Sequence, residues 1–454
     1  MHSALTNAER RAPTKRDILK VAKERDVRFV RLTFVDVLGI TKNVTIPHSE
    51  VERALDGTIT FDGGSIDGFV RGEEADMMLR PDLATFAVLP WTQDGEVEAR
   101  LICDIATPDG EAFEGCPRST LRRALEDAVD VLAAISTSVE LEFYLFEGSA
   151  DEEFVPARGD VGSYFDLSVG DRGERARIDM VTALESMGIG VASAHHEHGA
   201  GQHEIDLKDA GVLWTADALV TTRMVAKHIA ARHSLHATFM PKPYEGLAGS
   251  GMHVYFALPQ TEGDEDSVLL RSPQDKPPEE MLFAIGGLLE HSPAFTAVCN
   301  PTVNSYKRLV AAWDAPIYAA WSYRSANSLV RVPSTNSGPP RIEVRSADPS
   351  CNPYLALAVL VASAADGIRA HVLPGDPLSG STYELSDRDR SARRIRTLPK
   401  SLRQALEELS RDAVVRAALG DHVFAAFRDA KLTEYERYRR VVHPWERETY
   451  LEVY

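Results

Sequence analysis

An apolar segment that carries two carboxylates on one side restricts the fold of this chain more than any other feature. In SVELEFYLF (138–146) the β-branched and aromatic residues read as a strand, and residues i and i+2 of a strand face the same way. Glu140 and Glu142 therefore point into one space. Like charges in apolar surroundings repel and lose hydration. Either the strand lies at a sheet edge with a solvated face, or a cation or shared proton compensates.

Three other segments set polar chemistry in strand-like surroundings. AHHEHGAGQHEIDL (194–207) puts Glu197 and Glu204 on the two arms of a turn from Gly199 to Gly201, with His195, His196, His198 and His203 around them. If the arms pair, both carboxylates face one pocket; the plain alternative is a surface hairpin. His253 lies in GSGMHVYFAL, where a lone strand histidine is ordinarily a satisfied core residue. In RIEVR, Arg341, Glu343 and Arg345 share a face, a pattern that an exposed charged ladder also makes. Together these segments supply carboxylates and one strand imidazole, a hard donor set suited to Mg²⁺ or Mn²⁺ and ill suited to zinc. Two such ions bridging phosphate oxygens match phosphoryl transfer from ATP.

With 454 residues and 44% hydrophobic content, the chain has ample material for a core. A net charge of 50 − 68 = −18 argues against nucleic-acid and membrane partners. The polar opening MHSALTNAERRAPTKRD has no apolar centre of a secretory signal, so a cytoplasmic location is expected. Cys103, Cys116, Cys299 and Cys351 form no CxxC pair and read as buried thiols. We expect a flexible tail over 1–17, then a mainly-β unit over 18–110 with a helix DILKVAKERD and strands VRFVRLTFVDVLG, KNVTIP, FAVLPW and EARLICDIA. Pro117 suits a helix start ahead of TLRRALEDAVDVLAAI, which opens a larger domain over 115–454. There GVLWTADALVTTRMVAKHIAARH and NPYLALAVLVASAADGIRAHV read as long helices, the second buried on most sides.

The order and wording of six segments carry a family resemblance: FDGGSIDGFVRGEEADMMLRPDLATFAVLPW, VELEFYLF, AHHEHGAGQHEID, FMPKPYEGLAGSGMH, NPTVNSYKRLVAAWDAPIYAAWS and RIEVRSADPSCNPYLA. From about Asp17 to Tyr454 the chain resembles type I glutamine synthetase. The resemblance implies an α+β fold, with a small N-terminal β-grasp domain followed by a large catalytic domain of antiparallel sheet and flanking helices. It implies a homo-oligomer, a dodecamer of two hexameric rings with active sites between subunits. The implied reaction is ATP-dependent: a γ-glutamyl phosphate forms from glutamate and ammonia then displaces phosphate to give glutamine. On this resemblance Glu142, Glu197 and Glu204 hold one Mg²⁺ or Mn²⁺, and Glu140, His253 and Glu343 the other. Arg308 and Arg345 grip glutamate, Gly249 meets its amino group, and Arg331 and Arg341 lie on the nucleotide side. Asp62 of a neighbouring subunit and Asp314 of a closing flap take up and deprotonate ammonium.

Several positions depart from the family pattern. Asp314 replaces a glutamate, Ala311 and Ala312 replace a Pro-Gly pair, and Ala326 replaces an arginine that faces the transferring phosphate, for which Arg324 or Arg331 could substitute. Ala192, Ala248, Tyr255 and Ala257 also differ from the usual residues. The altered flap favours an organic mono- or polyamine as acceptor in place of ammonia, and Ala326 a non-catalytic glutamate-sensing relative; the intact metal positions favour an active ligase. Outside the site, the arginines from Arg388 to Arg396 read as a solvated or subunit-contact face. Tyr383 falls where some family members are adenylylated, and HPWERETYLEVY reads as a subunit-docking segment or a frayed tail.

Overall fold

The computed structural model describes residues 12–64, 66, 68, 76–93, 95–148, 154–156, 160, 162–167, 172–258, 276–334 and 339–454. Residues 1–11 of the expected tail and most of the loop after Asp62 lie outside these. The first helix, Lys15–Glu24, starts two residues before the expected point because Thr14 and Asp17 form a reciprocal capping box. It buries Ile18 and Ala22 against the N-terminal sheet.

That sheet contains β1 (Val27–Val35), β2 (Thr41–Pro47), β3 (Ile59–Asp62), β4 (Asp76–Pro81), β5 (Ala87–Gln93) and β6 (Glu96–Ala106). The order is β2-β1-β6-β4-β3, with β5 also on β6; β1 and β6 run parallel and the other pairs antiparallel. β3 and β4 escape periodicity analysis because they are short and flank a Gly-rich turn. Tertiary pairing, not local propensity, makes them strands.

The second sheet holds β7 (Ser136–Glu147), β8 (Val155–Pro156), β9 (Val191–His196), β10 (Gln202–Gly211), β11 (His236–Thr238), β12 (Met252–Ala257), β13 (Trp321–Ser322), β14 (Val330–Arg331) and β15 (Arg341–Val344). Its order is β13-β14-β15-β12-β7-β10-β9, antiparallel apart from β13 with β14. The carboxylate-bearing strand is thus central, between β12 and β10, and the edge-strand alternative is excluded. Val139, Leu141, Phe143 and Leu145 of β7 are buried in one core with residues of helices Arg172–Ser186 and Val212–Arg232. The alternate residues, Glu140 and Glu142, face the opposite way.

Two buried helices, Glu279–Cys299 and Pro353–Arg369, pack against each other behind this core. The segment after Pro117 forms two helices, Pro117–Asp127 and Val129–Leu132, where one was expected. Buried Arg118 joins the two parts of the molecule: it donates to Asp217 at 2.9 and 2.8 Å, to Asp104 at 3.0 Å and to Asp82 at 2.7 Å. All four cysteines are free and buried. The C-terminal segment forms a helix, Pro444–Tyr450, with Trp445, Leu451 and Val453 exposed on this single chain.

Candidate active site

Strand register assembles the site. Across β7 and β12, Glu140 lies opposite His253; across β7 and β10, Glu142 lies opposite Glu204 and Glu140 opposite Asp206; β9 sets His195 beside Glu204; β15 sets Glu343 beside Tyr255 and Arg331. The same face of six adjacent strands, from β14 to β9, therefore carries the chemistry. It forms one wall of a cavity of about 660 Å³, lined by six carboxylates (Glu140, Glu142, Glu197, Glu204, Asp206, Asp314) against three guanidiniums (Arg308, Arg331, Arg345).

Ligand atoms of Glu140, His253 and Glu343 lie within 4.8 Å of one another. His253 Nδ1 is 2.9 Å from Glu140 Oε2 and 3.8 Å from Glu343 Oε1. Glu343 is fully buried, and Arg331 and Arg345 pair with its two oxygens. Burial opposes ionisation of Glu140, but hydrogen bonds from His253 and Tyr255 outweigh it and bring its carboxyl down to about 2.

A second trio within the same span is His195, Glu197 and Glu204; the resemblance gives Glu142 where this grouping has His195. Glu142 stands alongside, its Oε2 accepting from Gln202 Nε2 at 3.0 Å and from the Gly251 amide at 2.9 Å, its Oε1 3.8 Å from His253 Nε2. Burial, then the Glu142 charge, raises the Glu197 carboxyl, and the same two causes push Glu204 well up. Asp206 is likewise raised by burial. Such a surplus of crowded carboxylates calls for cations, and oxygen donors with one or two imidazoles fit Mg²⁺ or Mn²⁺.

A third grouping, Asp160, His196 and His203, is fully buried and has a different character. Arg177 Nη1 lies 2.6 Å from His203 Nδ1, and burial holds this ring neutral. The guanidinium has only donors, so Nδ1 accepts and the ring proton sits on Nε2, leaving no lone pair there for a cation. His196 instead bridges Asp160, at 2.7 Å, to the backbone carbonyl of Glu197, at 2.6 Å. The cluster braces the hairpin that carries Glu197 and Glu204.

The remaining expected residues divide. Arg308 lines the cavity and is buried, its guanidinium held by the carbonyls of Ser346, Ala347 and Arg345 at 2.8 to 3.1 Å. Gly249 also lines it, and a Cβ there would come within 2.8 Å of both Arg308 Cγ and the Pro241 carbonyl oxygen. Arg345 Nε donates to the Ala326 carbonyl at 2.6 Å. Arg331 lines the cavity, whereas exposed Arg324 and half-buried Arg341 are not among its lining residues; Arg341 bonds Asp209 and Ser138 beyond β12. Asp314 and Trp313 line the cavity with left-handed backbones, φ 57° and 52°, and Tyr383 donates to the Ala315 carbonyl at 2.7 Å beneath them. The phenol weighed as a modification point is therefore engaged in this conformation. Asp62 is exposed at the end of β3 and caps the Gly64 amide at 2.7 Å, away from this chain's cavity.

Gln202 and Asp206 are not marked by the sequence as site residues; it marks His195 only among the histidines around the turn and Tyr255 only as a departure from the family pattern. Gln202 and Asp206 flank Glu204 at i−2 and i+2, and Tyr255 follows His253 at i+2, so period-two spacing was the available signal.

Fold and site together define a two-part α+β protein with a cation-demanding acidic cavity built across an antiparallel sheet. The model for the glutamine synthetase β-grasp domain matches residues 26–108, and that for the glutamine synthetase catalytic domain matches residues 114–450. A glutamine synthetase of Thermus thermophilus is 46% identical over 446 residues, 97% of this chain and 99% of that protein. One of Staphylococcus aureus (strain MRSA252) is 44% identical over 98% of this chain and 100% of the relative. Among solved structures, a GmaS/ADP complex is 28% identical with a TM-score of 0.86, covering 96% of this chain and 99% of the other. The chain belongs to the glutamine synthetase family, and its fold is the β-grasp and α+β catalytic arrangement that the motifs implied.

Proposed function

We propose that this protein is an ATP-dependent ligase that phosphorylates the side-chain carboxylate of glutamate and couples the acyl phosphate to ammonia, yielding glutamine and phosphate. The observation that carries this reading is the excess of six lining carboxylates over three guanidiniums in a cavity with one wall built by strand register. In this reading Glu140, His253 and Glu343 hold one Mg²⁺ or Mn²⁺, and Glu142, Glu197 and Glu204, with His195 alongside, hold the other. Cations held by these residues would supply charge neutralisation to the phosphate groups. Arg308, Arg345 and Gly249 seat glutamate; the fork geometry of a guanidinium suits its carboxylate, and the glycine lets the ligand approach the backbone. Arg331 and Arg341 serve the nucleotide side. Asp314, and Asp62 from a neighbouring subunit, draw in ammonium and accept its proton, since only the free amine attacks the acyl phosphate. In this reading the enzyme is a dodecamer of two hexameric rings with sites shared between subunits. Buried free thiols are consistent with a reducing, cytoplasmic compartment.

An organic amine as acceptor is a second reading, favoured by one observation. Trp313, Tyr164 and Phe165, exposed by 55%, 44% and 63%, line the same cavity as Asp314. Aromatic faces beside a carboxylate attract organic ammonium groups. Phosphate release from ATP and glutamate, measured with ammonia and with a panel of mono- and polyamines, tests both readings. Saturation by ammonia supports glutamine synthesis; saturation only by amines moves the assignment to the second reading; no glutamate-dependent release with any acceptor refutes both.

A further inference from the structure

Strand β12 directs His253 and, two residues on, Tyr255 to the cavity face, and both meet Glu140. The Tyr255 hydroxyl donates to Glu140 Oε1 at 2.6 Å, while His253 Nδ1 is 2.9 Å from Oε2. Each oxygen of this carboxylate thus has its own partner, and its plane is set from two sides. Tyr255 is itself fixed: it pairs with Glu343 in the β12–β15 register, and Arg331 Nη2 lies 3.5 Å from its hydroxyl.

We infer that Tyr255 is a positioning residue for divalent-cation binding, its hydroxyl restraining Glu140 Oε1 so that Oε2 turns with His253 and Glu343 toward one ion. The inference rests on reading Glu140, His253 and Glu343 as a cation site. Hydrogen bonds to ligating carboxylates orient them, and their loss typically weakens metal affinity about 10- to 100-fold.

The test is Mn²⁺ titration of the intact, nucleotide-free protein by calorimetry, with free Mn²⁺ followed by electron paramagnetic resonance. Tyr255→Phe keeps the ring and removes only the hydroxyl. It is expected to weaken the affected Mn²⁺ site about tenfold or more, and to raise the apparent KM for Mn²⁺ by a larger factor than it lowers kcat. Unfolding in EDTA checks that the variant folds. In a double-mutant cycle, Glu140→Gln and Glu140→Gln with Tyr255→Phe should bind Mn²⁺ equally weakly, because the hydroxyl acts through that carboxylate. Wild-type Mn²⁺ affinity in Tyr255→Phe, or fully additive losses in the cycle, overturns the inference while leaving the cation site standing. Absence of saturable Mn²⁺ binding to the unsubstituted protein overturns the cation site and the inference together.

Discussion

Replacing Glu204 by glutamine should make the cation-free protein more stable while impairing cation binding, and the gain should depend on pH. Glu204 is buried, and one of its carboxylate oxygens lies within 4.8 Å of an oxygen of Glu140 and of Asp206. At an effective dielectric constant near 20, two ionised carboxylates at that separation repel by about 3.5 kcal/mol. Protonation relieves part of this, because burial and the neighbouring carboxylates push the Glu204 carboxyl well above its ordinary 4.5. A carboxyl with a raised folded value holds a proton in the folded chain that the unfolded chain has released. Its contribution to stability is therefore lost as pH rises from about 4.5 through the folded value. Glutamine keeps the shape and an acceptor for His195, which lies 3.1 Å away, but cannot ionise.

The expected result in EDTA at pH 8 is a stabilisation of about 1–3 kcal/mol, below the full repulsion because of shared protons. For 454 residues this corresponds to a rise of roughly 1–3 °C in Tm. At pH 5 the two proteins should melt together. With Mg²⁺ or Mn²⁺ the order should reverse, since wild type gains binding energy that the variant forgoes. Thermal unfolding across pH 5–8, with EDTA or with cation, reads all three. A variant that is no more stable than wild type at pH 8 in EDTA, or a gain that persists unchanged at pH 5, would refute the reasoning.

Two further outcomes follow from the geometry. Arg118→Met removes the buried cation shared by Asp82, Asp104 and Asp217 and leaves Asp217 with its 2.7 Å bond from Tyr354 and the charge of buried Arg100; the loss should be about 3 kcal/mol in chemical denaturation, and one below about 1 kcal/mol would show the junction to be redundant. Asp62→Asn and Glu343→Gln should each cut ammonia-dependent turnover at least about 100-fold. Co-expressed as mixed oligomers they should recover about a quarter of the intact sites, because random mixing pairs an unaltered Glu343 with a neighbour's unaltered Asp62 at that frequency; no recovery would place both residues in the same subunit's site.

Much of the site was legible because strands announce themselves locally. The period-two placement of Glu140 and Glu142 in an apolar run, and of Glu343 and Arg345 in RIEVR, follows from side-chain alternation alone, whatever the strands pair with. The arms of the 194–207 turn were equally readable, and they pair as β9 and β10. Helix Val212–Arg232 and the buried helix Pro353–Arg369 follow from long apolar patterns with polar ends.

Residue order and periodicity determined which side chains could share a face and that this face would be acidic. Only the tertiary structure decided that β7 is central rather than an edge, that His195 stands beside Glu197 and Glu204, and that Tyr255 rather than solvent satisfies Glu140 Oε1. Alternation is a property of one strand, written in its own residues. Register and neighbour choice depend on free-energy differences spread over both partner strands and the helices behind them, and no single segment encodes that sum.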